Sequence, residues 1–141
     1  MAGSGDADRA PMVDAWGVTL RCLIVDDNEA FLESASGLLR REGVDVVGLA
    51  STIAQARRLV AELRPDVTLV DVDLGEEDGF ELAAQLGGNS RTPHSRVILV
   101  STHSEEDLSQ LIEASAALGF VSKARLSAQA IVETLERAGD A

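Results

Sequence analysis

The sequence is poor in several residue types, and each shortage excludes a class of protein. Cys22 is its only cysteine, so no disulfide or thiolate metal site can be built within the chain. No run of about 18 apolar residues occurs, which excludes a membrane-spanning helix. The 12 basic residues are outnumbered by 24 acidic ones, and the net charge is −12. The chain therefore lacks the basic surface that direct binding of nucleic acid requires.

The 141 residues suffice for one globular domain with a buried core. Residues 1–17 are rich in Gly, Ser, Asp and Ala and show little periodicity, which predicts a disordered leader ahead of a domain at 18–141. The leader lacks the basic and then apolar pattern of a signal peptide. Together with the single buried-type cysteine, this predicts a cytoplasmic protein.

Short apolar runs and helical periodicities alternate five times along the domain. Continuous Val/Ile/Leu runs predict buried strands at 18–25, 44–49, 67–70, 97–100 and 118–121. Each is followed by apolar residues at helical spacing, and Thr52 with Gln55 forms a capping box before the second helix. Strands of this kind, joined through helices, predict an α/β fold with a doubly wound, five-stranded parallel sheet and five flanking helices.

Polar side chains follow four of the predicted strands, at the sheet edge where open α/β folds bind ligands. Three carboxylates at this edge would repel one another unless a cation were present, and Mg²⁺ prefers such oxygen ligands. A carboxylate can also act as a nucleophile and form an aspartyl phosphate. Hydroxyl and ammonium groups would then stabilise the phosphoryl oxygens. The residues concerned are Asp26 and Asp27 after the first strand, Asp71 after the third, Ser101 and Thr102 after the fourth, and Lys123 after the fifth.

A simpler interpretation is that acids after strands cap helices and shape turns. It accounts for Asp26, Asp27 or Asp71 taken singly. It does not account for Lys123, the only lysine in a chain whose eleven other basic residues are arginine. The combination therefore favours a phosphoryl-transfer site.

The sequence resembles the response-regulator receiver domains of two-component signalling over residues 19–139. The spacing carries the resemblance: Asp71 follows Asp27 by 44 residues and precedes Ser101 by 30 and Lys123 by 52. Two segments also have the family's form: Asp71-Val72-Asp73-Leu74 followed by Asp78-Gly79, and Gly119-Phe120-Val121-Ser122-Lys123. The resemblance implies a flavodoxin-like fold, as in chemotaxis regulators, with strand order 2-1-3-4-5.

The resemblance also implies roles for individual residues. Asp71 is expected to accept the phosphoryl group and Asp27 to ligate Mg²⁺ directly, together with Asp71 and the Asp73 carbonyl, while Asp26 acts mainly through water. Lys123 would pair with Asp71 and then bind a phosphoryl oxygen. Ser101 would move towards the phosphoryl group, and Phe120 would turn into the space it leaves, although a core aromatic is the simpler interpretation of Phe120.

Two positions are expected to tune the lifetime of the phosphoryl group. Asp73 and His103 should flank the path of the attacking water, although both are also explained as exposed residues of a loop and of a helix start. Two departures from the family pattern concern the same region. Gly75 replaces a frequent proline, which predicts a looser loop, and Ala124 replaces the proline that often follows the lysine, which leaves the isomer of that peptide bond open.

The resemblance implies a sensor histidine kinase or a phosphotransfer protein as partner, and a homodimer through the fourth helix, fifth strand and fifth helix is a further hypothesis. Two other functions stay open. Asp71-Val72-Asp73 also matches the motif of haloacid-dehalogenase-type phosphatases, but that interpretation leaves Asp26 and Asp27 unexplained. The other open function is that of a receiver domain that acts as an unphosphorylated interaction module.

Overall fold

A five-stranded parallel sheet forms the centre of the computed structural model, which describes residues 19–87 and 96–139. The predicted leader, residues 1–17, lies outside the described residues. The strand order is β2-β1-β3-β4-β5, and all neighbours are parallel, which confirms the predicted doubly wound architecture. The strands are β1 (Arg21–Val25), β2 (Asp45–Ala50), β3 (Val67–Asp71), β4 (Val97–Ser101) and β5 (Gly119–Ser122).

Alternate residues of each strand point to opposite faces of the sheet. Both sets are apolar here, and helices cover both faces. Apolar residues of the first and fifth helices pack with Cys22 and Ile24 on one face. Residues of the second, third and fourth pack with Leu23 and Val25 on the other. The helices are α1 (Glu29–Arg41), α2 (Ile53–Leu63), α3 (Gly79–Gly87), α4 (Glu105–Ala114) and α5 (Ala128–Gly139). None of them, within the residues described, has the length and apolar character needed to cross a bilayer.

The helix starts follow the capping signals in the sequence. The Thr52 side chain accepts a hydrogen bond from the backbone N–H of Gln55 at 3.1 Å. The Gln55 side chain in turn accepts from the backbone N–H of Ser51 at 2.8 Å. The first bond satisfies an N–H group of the first helical turn, and the second satisfies the N–H just before the N-cap residue, so the predicted capping box is present with a shift of one residue.

Helix α4 is the least deeply packed of the five. No residue of this helix is fully buried, and Leu111 is 54% exposed although its spacing matches that of Leu108 and Ile112. The first turn carries Glu105, Glu106 and Asp107, which favours the helix start through the macrodipole but adds no apolar contact. The apolar spacing along α4 therefore predicts only in part which of its side chains are buried.

The loop after β3, for which Gly75 predicts a looser conformation, forms a short hairpin. Residues Asp73–Leu74 pair with Glu77–Asp78 in antiparallel fashion across the turn Gly75-Glu76. Gly75 has φ of +68°, and Glu76 has no positive φ. A positive φ at the first turn residue alone is the pattern of a type II′ hairpin turn, for which glycine is preferred.

The start of α5 is held by a residue from the end of α1. Glu42 accepts a hydrogen bond from the backbone N–H of Ala128 at 2.6 Å, across 86 residues of sequence. Ser127 accepts from the N–H of Ala130 at 3.0 Å in the same turn. The carboxylate also lies at the positive end of the helix dipole, so it joins two helices on one face of the sheet.

We expect Glu42→Ala to lower the free energy of unfolding by about 1–2 kcal/mol, the usual cost of losing a capping side chain. Urea titration followed by circular dichroism measures the difference. Glu33→Ala, at an exposed position of α1, serves as the control and should stay within about 0.5 kcal/mol of the unmodified protein. Equal losses in both variants would contradict a capping role for Glu42.

Candidate functional site

Three carboxylates and the only lysine meet at the carboxyl edge of the sheet. Asp26 and Asp27 follow β1, Asp71 ends the neighbouring strand β3, and Lys123 follows β5. Carboxylate oxygens of the three aspartates lie within 4.8 Å of one another. The prediction that these residues share one edge of the sheet is therefore confirmed.

Lys123 contacts two of the three carboxylates. Its Nζ atom lies 2.6 Å from Asp26 Oδ2 and 3.3 Å from Asp71 Oδ2. The Asp26 side chain is 1% exposed, and its Oδ2 has no partner among the described residues except this ammonium. Its Oδ1 accepts from the backbone N–H of Asn28 at 2.8 Å. The predicted pair of Lys123 with Asp71 is therefore present, and Asp26 is a second, closer partner.

The surroundings of Lys123 change the pKa of its ammonium in opposing ways. Burial acts to lower the pKa, but the hydrogen bond to Asp26 and the negative charges of Asp71 and Asp26 outweigh it, so the pKa is raised. The ammonium therefore stays charged at neutral pH and compensates part of the negative charge at the edge.

Asp71 is harder to ionise than an ordinary aspartate. Its burial, together with the charge of Asp26, raises the pKa of the Asp71 carboxyl from 3.8 to about 6. The backbone N–H of Asp73, 3.3 Å from Asp71 Oδ1, and the Lys123 ammonium both oppose this rise. The carboxylate is thus ionised at neutral pH but destabilised by its neighbours.

The donor set fits a hard divalent cation. Three carboxylates converge, of which Asp26 is buried and Asp27 is exposed to solvent. One ammonium compensates only part of their charge, and the charge of Asp26 adds to the effect of burial in raising the pKa of Asp71. Oxygen ligands of this kind, open to water on one side, suit Mg²⁺, which keeps several of its own waters.

Ser101 lies at the end of β4, beside the strand that carries Asp71. It is 1% exposed, and its Oγ accepts from the backbone N–H of His103 at 3.0 Å. The His103 imidazole in turn approaches Asp73, with 3.6 Å between Nε2 and Oδ2, and both side chains are exposed. The two residues predicted to tune the site therefore lie against each other at its solvent side.

Two further predicted features lie next to these residues. Phe120 on β5 is half-buried and packs against the apolar cluster on the face of α2, α3 and α4. The peptide bond between Lys123 and Ala124, whose isomer the sequence left open, is trans. Residues Lys123–Arg125 form one 3₁₀ turn that begins directly after β5.

The sequence analysis missed two residues that contact the site region. Glu77, in the hairpin after Asp71, accepts from the backbone N–H of Ile53 at 2.9 Å and so joins the hairpin to the start of α2. The Phe31 ring lies under the Lys123 ammonium, 4.2 Å from Nζ to the ring centroid. The apolar spacing of Phe31 with Leu32 and Ala35 indicates only a core-facing position on a helix. An acidic side chain in a turn gives no sign of a contact 24 residues away.

Comparison with known proteins gives one family. The family described as the response regulator receiver domain matches residues 22–136. A protein-glutamate methylesterase/protein-glutamine glutaminase from Halobacterium salinarum is 37% identical over 92 residues, which cover 65% of this chain but only 26% of that protein. The alginate biosynthesis transcriptional regulatory protein AlgB from Pseudomonas putida is 36% identical over 98 residues, 69% of this chain and 21% of that protein.

Solved structures agree with this likeness. The signal receiver domain of the response regulator NarL from Mycobacterium tuberculosis superposes with a TM-score of 0.69 at 32% identity, covering 85% of this chain and 96% of that chain. The chain spans about a quarter of the length of the methylesterases it matches. What those longer proteins do beyond the matched region therefore does not follow for this chain.

The raised pKa of Asp71 predicts a pH-dependent stability. An acid whose pKa is higher in the folded protein binds its proton more tightly there, so stability falls as the pH rises between the unfolded and folded values. For Asp71 this window runs from 3.8 to about 6. Without divalent ions at pH 7, we expect Asp71→Asn to be more stable than the unmodified protein by about 1–2 kcal/mol.

The gain in stability of Asp71→Asn should shrink towards zero near pH 4, because Asp71 is then protonated in the folded protein. Urea titrations in EDTA at several pH values measure it. Asp73→Asn is the control, since that side chain is 74% exposed, and it should change stability by less than about 0.5 kcal/mol. A gain of the same size at pH 4 and pH 7 would disprove the electrostatic cause.

Proposed function

Since this chain belongs to the response regulator receiver domain family, we propose that it accepts a phosphoryl group on Asp71 in a Mg²⁺-dependent reaction and changes conformation as a result. The family interacts with histidine kinases or phosphotransfer proteins, and one of these is the proposed donor. The observation that carries the proposal is the convergence of three carboxylates and the only lysine at one sheet edge. Residues 18–141 are the proposed extent of the domain.

In the proposed reaction, an Asp71 oxygen forms a bond to phosphorus while the bond from phosphorus to the donor breaks. The carboxylate is ionised at neutral pH, as a nucleophile must be, and its burial leaves it poorly solvated. The N–H of Asp73 orients one carboxylate oxygen. Lys123 is close enough to follow the negative charge from the carboxylate to the phosphoryl oxygens.

The Mg²⁺ ligands in this proposal are the carboxylates of Asp26, Asp27 and Asp71 and the backbone carbonyl of Asp73, with Asp26 acting mainly through water. The first three supply the oxygens that converge. When bound, the cation would neutralise charge on the carboxylates and the transferring phosphoryl group. Lys123 remains the positive charge that the chain itself provides.

The proposed switch consists of Ser101 and Phe120. A hydroxyl that moved towards the phosphoryl group would leave its hydrogen bond with the His103 N–H and take the phosphoryl oxygen as a charged partner, which is the stronger bond. Phe120, half-buried on the next strand, would then fill the space. A local change of charge would thereby move an element at the surface.

A surface for a second copy or a partner is proposed at α4, β5 and α5. Leu111 and Leu118 are exposed there, 54% and 40%, and α4 has no fully buried residue. The net charge of −12 makes direct contact with nucleic acid an unfavourable alternative.

Receiver domains are signalling domains, and the proposal includes no turnover of a separate substrate. The cytoplasmic location stays a prediction from the sequence.

The phosphoacceptor is tested with acetyl phosphate. In Mg²⁺ the intact mass should rise by one phosphoryl group, and no rise should occur in EDTA or in Asp71→Asn. Asp78→Asn, at an exposed carboxylate of the same hairpin, is the matched control and should be labelled. A chain that is never labelled would support an unphosphorylated interaction module, and equal labelling of Asp71→Asn would exclude Asp71 as the acceptor.

The pair formed by Asp73 and His103 should set the lifetime of the phosphoryl group. Because the two side chains meet at the solvent side of Asp71, truncation of either to alanine opens the approach of water. We expect loss of the phosphoryl group to become faster by up to about tenfold, which corresponds to about 1.4 kcal/mol of barrier. Decay of the phosphorylated mass after removal of the donor measures the rate. Glu76→Ala, in the same hairpin turn, should lose its phosphoryl group at the rate of the unmodified protein. Equal rates of loss in the unmodified protein and all three variants would contradict the proposed role of Asp73 and His103.

A further inference from the structure

The Lys123 ammonium has a third contact besides its two carboxylates. Phe31 lies on the remaining side, with its ring centroid 4.2 Å from Nζ. A cation within about 6 Å of an aromatic centroid is attracted by the negative face of the ring. The lysine side chain is only 15% exposed, so water competes weakly for the ammonium. Two anions and one ring face therefore fix its position.

Phe31 is itself held through both its backbone and its side chain. The backbone N–H of Phe31 donates to the side chain of Asn28, the N-cap of α1, at 3.2 Å. The half-buried side chain packs against the apolar cluster that α1 shares with α5. The ring therefore lies between the apolar core and the Lys123 ammonium.

Resting on the proposed function, we propose that Phe31 is a positioning residue that keeps the Lys123 ammonium at the sheet edge while Asp71 is phosphorylated. When an Asp71 oxygen bonds to phosphorus, the carboxylate loses its charge, and the negative charge lies on the phosphoryl oxygens instead. The ammonium then loses one of its two anionic partners. The attraction of the ring does not depend on the state of Asp71, so the ammonium stays within reach of the phosphoryl group.

A role in packing alone makes a different prediction. Leucine would fill much of the same space in the core, but it has no negative face to attract a cation. Phe80 offers a matched comparison, because it is also half-buried and packs on the opposite face of the sheet. In the part of the chain that the structure describes, a cation lies over Phe31 only.

The contact is measured directly by NMR, because Lys123 is the only lysine. With lysine labelled at ¹³Cε, the side chain gives a single signal, and the ring current should shift its protons upfield. We expect the shift to vanish in Phe31→Leu and to persist in Phe31→Trp and Phe80→Leu. This measurement needs neither Mg²⁺ nor a phosphoryl donor. An unchanged signal in Phe31→Leu would overturn the contact, and with it the proposal.

The effect on the reaction is measured with phenylalanines of increasing fluorination at position 31, which weaken the negative ring face with little change in volume. We expect labelling by acetyl phosphate to slow progressively, by about fivefold across the series, the size of one partly desolvated cation–π contact. The same series at Phe80 should show no trend. Equal rates across the series at position 31 would overturn the positioning role, since labelling would then not depend on the ring face. Failure of the unmodified protein to be labelled, with the lysine shift intact, would instead refute the proposed function.

Discussion

Repulsion between the carboxylates of Asp26, Asp27 and Asp71 is the constraint on which the rest of the site depends. Parallel strands β1 and β3 are neighbours, so their carboxyl ends necessarily bring these groups together. Burial raises the pKa of the Asp71 carboxyl, the charge of Asp26 raises it further, and Lys123 offsets only part of the rise. The lysine comes from β5, two strands away from β3, and reaches back across the sheet edge. The ammonium and the backbone N–H groups of Asn28 and Asp73 each stabilise part of this negative charge.

The sheet can carry such a cluster because its interior is apolar and continuous. Every residue of β3 and β4 is buried, and the two strands are covered by helices on both faces. Burial of Asp71 and Ser101 at the ends of these strands removes water from the groups expected to react. The same burial that stabilises the fold therefore raises the energy of the ionised Asp71 carboxylate. The fold and the chemistry are linked here, because Asp71 and Ser101 are themselves the last residues of buried strands.

Much of this could be predicted from the sequence, because the signals are local. Apolar runs that end in Asp26, Asp71 or Lys123 fix both the strand and the edge at which the side chain emerges, and Thr52 with Gln55 marks a helix start. Contacts that join distant segments leave no such pattern. The closer pairing of Lys123 with Asp26, the ring of Phe31 beneath it and the bond from Glu77 to Ile53 all depend on how separate elements pack. Periodicity failed differently at Leu111, where helical spacing indicates one face of a helix but not how much of that face the sheet covers.

Gly79, the first residue of α3, has no room for a side chain. A Cβ atom there would meet the backbone carbonyl oxygen of Asp71, and the Gly79 N–H donates to the carbonyl of Val72 at 3.0 Å. The start of α3 therefore packs directly on the main chain of Asp71. Helix α4, with no fully buried residue, would break fewer apolar contacts by shifting. The two helices that flank β4 therefore differ in how closely they are held: α3 starts against the main chain of Asp71, because Gly79 has no side chain, whereas α4 is thinly packed.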